Sequence, residues 1–181
     1  MKKILALVLV LTMMLVSAFA VAEAAYTYSE YNYDETMFAE IGGEWLALDG
    51  LGLMFYLPDI YVPAEIPEAL AEVGTIALYG TTDGTGVLNV AYGPALKAAD
   101  TAAETIEDLA GYYTSVGMSG VDVIVVNGIP MVMAMDEKND MVSYSVFFAD
   151  STQLLLAFSP ASDPNNALMA GLTLTTVMLA E

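Results

Sequence analysis

The chain has 181 residues, with 23 acidic side chains against four lysines, no arginine, no histidine and no cysteine, for a net charge of −19. This excludes nucleic acids and anionic lipid surfaces as partners, since both are bound by cations that neutralise phosphate. It also excludes disulfides, Ser-His and Cys-His nucleophiles, and histidine-ligated zinc.

The first 24 residues read as a cleaved secretory signal: Met1-Lys2-Lys3, an uncharged apolar run from Ile4 to Val16, then small residues at Ala18, Ala20, Ala22 and Ala24. Cleavage is expected between Ala20 and Ala24. The alternative is an uncleaved anchor, because residues 4–22 are nearly long enough to span a bilayer. No cysteine follows for a lipid anchor and no second apolar span exists. The exported chain is therefore expected outside the cytoplasm, periplasmic or extracellular, with no stable membrane insertion. It keeps only Lys97 and Lys138 as cations, yet about half of it is apolar, which predicts a folded domain with an anionic surface.

Residues 25–44 are acidic, and Tyr26, Tyr28, Tyr31 and Tyr33 follow no clean period. The segment reads as a flexible arm with a short helix near 36–40; a tyrosine contact surface is the other reading. One domain is expected from 45 to 181. It opens with strands over 44–48 and 51–57 around the hairpin pair Asp49-Gly50. Pro58 ends the second strand, Pro63 and Pro67 mark a loop, and 67–74 reads as a short helix. Strands 75–81 and 87–93 flank a Thr-Asp-Gly turn. Thr101 and Glu104 form a capping box for a helix reaching Val116, with Gly117 as its left-handed stop. Ile106, Leu109, Tyr113 and Val116 share its inner face.

Four strands follow at 121–126, 129–136, 141–149 and 152–159, the first two joined by Asn127-Gly128. Both faces of these strands are apolar, as at Met131, Val132, Met133 and Ala134, so both sides of the sheet must be covered. The last helix is expected over 163–178, capped by Asp163 with Pro164 in its first turn and Leu168, Leu172 and Leu179 facing inward. Thr173, Thr175 and Thr176 weaken its final turn. The fold class is α+β: a single-domain antiparallel β-sheet covered by helices on both faces, an α/β/α sandwich.

The segments "LGLMFYLP" (51–58), "TAAETIEDLAGYYTSVGM" (101–118), "VIVVNGIPMVMAM" (123–135) and "QLLLAFSPASDPNNALMAGLTLTTV" (153–177) resemble the PsbP-like fold. Within it the chain resembles the small exported bacterial proteins of the DcrB-like kind. The resemblance implies a central antiparallel sheet between helices and a binding or accessory role, with no shared active site.

The stretch "MDEKND" (135–140) crowds oxygen ligands together. An EF-hand starting at Asp136 would place Lys138 at its third position, Met141 where glycine belongs and Phe147 where the bidentate glutamate belongs. A hairpin tip is the expected reading. Lys138 and Lys97 both look solvated, which removes a serine–lysine nucleophile. No catalytic, cofactor-binding or metal residues are assigned, and no cofactor is expected. The leading expectation is a non-enzymatic exported protein that binds a protein or peptide, preferably a cationic one. A carboxylate-dependent hydrolase, requiring two convergent buried acids, and a divalent-cation-modulated surface protein are the alternatives. Tyr56, Tyr79, Tyr92, Tyr112 and Tyr144 are the aromatic residues to inspect for an exposed patch.

Overall fold

The computed structural model describes residues 29–32, 34, 36, 41–48, 50–98 and 101–180. The signal sequence and its cleavage positions, Tyr26, Tyr28, Tyr33, most of the short helix near 36–40 and Asp49 lie outside the described residues. The strands are β1 (Ser29–Tyr31), β2 (Gly43–Leu48), β3 (Leu53–Pro58), β4 (Tyr61–Pro63), β5 (Thr75–Thr81), β6 (Val87–Pro94), β7 (Leu96–Ala98), β8 (Thr101–Ala102), β9 (Ser119–Val126), β10 (Ile129–Asp136), β11 (Met141–Phe147), β12 (Thr152–Ser159) and β13 (Met178–Leu179). The helices are α1 (Glu68–Glu72), α2 (Ile106–Ser115) and α3 (Pro164–Thr175).

Eight strands form one sheet in the order β1-β9-β10-β11-β12-β6-β5-β4. Its pairs are antiparallel except β1 with β9, which run parallel. Both faces are covered, as the two-sided apolar strands require. On one face Leu109, Ala110 and Tyr113 of α2 pack with Val123, Val132 and Ala134. On the other, Ala170 and Leu174 of α3 pack with Ile124, Met131, Tyr144, Leu156 and Phe158. The alternation along β10 assigns Met131 and Met133 to the α3 face and Val132 and Ala134 to the α2 face. The architecture is α+β with a mixed, antiparallel-dominant sheet between helices.

Several details depart from the sequence reading. The hairpin β2–β3 leaves the main sheet and joins β13 in a separate three-stranded sheet. That small sheet shares the covering of the α3 face, because Leu53, Phe55 and Leu57 turn inward and are buried there. Ser29–Tyr31, placed by the sequence in a flexible arm, is the edge strand of the main sheet, with Tyr31 opposite Val126. A three-residue strand is too short for its period to be read without its partner.

The capping box lies four residues later than expected. Thr105 accepts from the Asp108 amide, and the Asp108 carboxylate reaches back to the amide of Thr105. Thr101-Ala102 instead pairs with β7, and Glu104 forms an ion pair with Lys97 at 2.7 Å. Lys97 is therefore held in a short ribbon. The helix stops at Ser115, so Val116 is exposed rather than inward. Gly117 takes the predicted left-handed stop at φ +88°.

The last helix stops at Thr175. Its threonines have low helix propensity, and Met178–Leu179 gains strand partners on β3 instead. Leu179 is consequently 70% exposed, and Leu168 lies on the outer flank of α3 at 57% exposure. The inward row is Asn166, Ala170, Thr173 and Leu174, at helical spacing, with Leu172 also buried.

Candidate functional site

Helix α3 packs chiefly against β3 and β12 and leaves space open beside β9, β10 and β11. Its C-terminal end is tied down, because the side-chain amide of Asn127 donates to the carbonyls of Thr175 and Val177. Asn127 and Gly128 both have positive φ, the geometry of the tight primed hairpin turn that Asn-Gly favours. Its N-terminal end is held by Asp163, whose carboxylate accepts from the amides of Asn165 and Asn166. Nearby, the Asp140 carboxylate accepts from the amide and hydroxyl of Ser162.

Between these ties an apolar groove of about 350 Å³ remains open. Its floor is Ile124, Met133 and Tyr144, and its helical wall is Leu168, Gly171 and Leu172. Tyr31, 44% exposed on the edge strand, lines it as well. A side chain added at Gly171 would have its Cβ clear of other atoms within 4 Å, so this glycine leaves space in the wall. Burial, and secondly the nearby Tyr31, pushes the Tyr144 phenol above 10.0, which keeps this floor residue uncharged.

The groove lining carries no carboxylate, but an acid stands beside it on the sheet. Asp122 sits opposite Met133 on β9, two residues from Ile124 and on the same face of the strand, with its carboxylate accepting from the Val123 amide. Met135 continues the floor side of β10 and is 41% exposed. The turn that follows it carries Asp136, Glu137 and Asp140, and Ser119 on β9 donates to Glu137 at 2.7 Å. Exposed Met135 therefore stands next to a turn of three carboxylates and Lys138.

The "MDEKND" stretch is the hairpin tip that its residues suggested. Asp136 accepts from the Asn139 side chain and then from the amides of Asn139 and Lys138, which together hold its carboxyl below the usual range. Asp140 takes φ +49°. Among the described residues no group of three or more acids is arranged to hold a metal ion.

A second cleft, of about 260 Å³, lies at the start of α3 and contains two acids, Asp83 and Asp163. Both carboxylates serve local backbone geometry. Asp83 accepts from the hydroxyls of Thr81 and Thr85 and from the Thr85 amide, which lowers its pKa to about 2. It is fully exposed and ionised at neutral pH, so it has no proton to donate as a general acid. Asp163 spends its carboxylate on the first amides of α3, so both acids are committed to turn and cap bonds.

Of the tyrosines singled out from sequence, Tyr79 and Tyr144 are buried. Tyr56 donates to the Ile41 carbonyl and meets Trp45 edge-on, and Tyr92 meets Thr152 and Phe148. Only Tyr144 reaches the groove. The exposed groove residues, Tyr31 and Leu168, were assigned to an arm and to a buried helix face. The legible signal was Gly171, a glycine in the interior of the last helix.

Cyanobacterial PsbP (CyanoP) from Synechocystis superposes with a TM-score of 0.54 at 11% identity, covering 78% of this chain and 95% of that one. The chain has the PsbP-like fold. The PsbP-like sheet and helices are thus shared at a sequence identity that speaks for fold alone. A Bacteroides thetaiotaomicron protein matches with a TM-score of 0.46 at 16% identity, over 77% of this chain and 49% of that one. The Ran-binding protein Mog1p of Saccharomyces cerevisiae matches with 0.44 at 11% identity, over 78% and 97%. No family model and no curated protein matches the sequence. No helix among the described residues is long and apolar enough to cross a membrane.

Proposed function

We propose that this chain is an exported, non-enzymatic binding module that holds a segment of a partner protein or peptide in the groove between α3 and β9–β11. The observation that carries this reading is an open apolar groove with Asp122 in register beside its floor residue Met133. Filling such a groove with one leucine-sized side chain is worth about 2 kcal/mol, enough to place a partner segment though not to bind it tightly alone. The charge of −19 adds long-range attraction for a cationic partner and repels anionic ones. Export rests on the signal-like first 24 residues.

Photo-crosslinking in the producing cell tests the reading. Leu168 is replaced by benzoylphenylalanine, and Val116, exposed at the end of α2, serves as the control position. A discrete protein adduct that forms from position 168, is absent from position 116 and weakens at high salt is the expected result. Identical adducts from both positions, or none from either, overturn it.

A further inference from the structure

The occupant of the groove has a definite chemistry. We infer that the groove is a two-part subsite for a peptide segment in which a bulky apolar side chain stands next to a lysine or arginine. This rests on the binding-module reading above and specifies what the module selects. The apolar part is the space beside Gly171, bounded by Leu168, Leu172, Met133 and Tyr144. The polar part is Asp122, across the strand pair from Met133. Neighbouring side chains of a strand pair stand about 5 Å apart, so an occupant anchored over Met133 brings an adjacent residue to the carboxylate.

Charge decides among the possible occupants. A second copy of this chain brings another −19 to an already acidic rim. The chain's own tyrosine-rich stretch carries Glu30, Asp34 and Glu35 close to its aromatic residues and is repelled in the same way. Basic residues beside the apolar anchor are attracted to Asp122 and to the 136–140 turn. An uncharged apolar ligand gains nothing from either.

The test uses the exported chain and a fluorescent peptide alternating leucine and lysine, with two counterparts: glutamate in place of lysine, and serine in place of leucine. Binding is read by anisotropy at low and at physiological salt. The leucine–lysine peptide is expected to bind, and each counterpart to bind at least about tenfold more weakly. Gly171→Phe fills the apolar part and is expected to weaken the leucine–lysine peptide by about tenfold without lowering Tm. Asp122→Asn is expected to weaken it by about threefold to tenfold and to flatten its salt dependence.

Wild-type affinity in a stably folded Gly171→Phe protein overturns the inference, because the peptide then adheres through charge elsewhere. Equal binding of the glutamate counterpart, or a concentration-dependent dimer that buries Leu168, overturns it too. If no peptide binds while Leu168 still crosslinks a partner, the subsite chemistry is wrong and the module reading stands. Peptide binding with no crosslink in the cell leaves the subsite standing and removes the module reading.

Discussion

The side-chain amide of Asn127 donates to the carbonyl oxygen of Thr175 at 2.8 Å, joining a two-residue hairpin turn to the end of the helix that walls the groove. The same nitrogen donates to Val177 at 2.9 Å. Helix ends leave carbonyls without intrahelical donors, and this side chain supplies one from a distant strand pair. Asn127→Gly keeps the positive φ of the turn and removes only the amide. It is expected to lose about 1–2 kcal/mol in urea unfolding. Asn127→Ala, which also strains the turn, should lose more. Equal stability of Asn127→Gly and wild type would show that water replaces the amide without cost.

Tyr113 donates to Gln153 at 2.8 Å and is therefore left to accept from Ser145, 2.7 Å away, under the α2 face of the sheet. Tyr113→Phe removes both bonds inside the core and should cost about 1–2 kcal/mol, read as a fall in Tm.

Burial raises the Tyr61, Tyr113 and Tyr144 phenols above 10.0, against the smaller opposing effect of its hydrogen bonds in the case of Tyr113. The folded state thus favours the neutral phenol. Its contribution is complete below pH 10.0, the unfolded value, and is lost as pH rises through the folded values. Phenolate absorbance should show an exposed class of tyrosines titrating first and a buried class appearing only as the far-UV signal of the sheet collapses. One smooth titration with the fold intact would contradict this.

Asp83 titrates in the opposite sense. Its folded pKa is depressed from 3.8 to about 2, chiefly by the Thr81 hydroxyl, then by the Thr85 amide and hydroxyl. Whatever this turn contributes is present above 3.8 and lost as pH falls through 2. Carboxyl carbon NMR should place Asp83 among the lowest carboxylates of the protein. Thr81→Val should move it upward more than Thr85→Val does, and the reverse order would reassign the principal donor.

Gly171 and Gly111 are both helix-interior glycines with no atom within 4 Å of an added Cβ. Gly171→Ala and Gly111→Ala should each stabilise the chain by about 0.5–1 kcal/mol through helix propensity, measured by urea unfolding. A gain at Gly111 with a loss at Gly171 would mean that the groove wall closes on its floor more tightly than its open volume indicates.

Strongly local features were readable from the chain. Strands 75–81, 129–136 and 152–159 end where their turn residues stop them, and Asn127-Gly128 and Asp163-Pro164 act as their local chemistry dictates. The capping box was misplaced because two boxes compete within eight residues, Thr101-Glu104 and Thr105-Asp108. In the fold Thr101 pairs with β7 and Glu104 bonds Lys97, which leaves Thr105 and Asp108 as the box. Local sequence cannot rank such options, since the deciding partner comes from a separate strand.

The sequence by itself determined the excluded chemistry, the anionic character and a sheet that must be covered twice. These follow from residue identity and from periodicity, which need no tertiary partner. Tertiary structure decided which surfaces stay open. Leu168 has the spacing of a core residue, and Tyr31 lies in an acidic stretch, yet both line the groove, Leu168 from the outer flank of α3 and Tyr31 from the edge strand. Exposure depends on how elements are placed against one another, and ties such as Asn127–Thr175 and Asp140–Ser162 join residues far apart in the chain. Asp122 is an ordinary strand carboxylate in the sequence. Pairing opposite Met133 puts it beside the floor of an apolar groove.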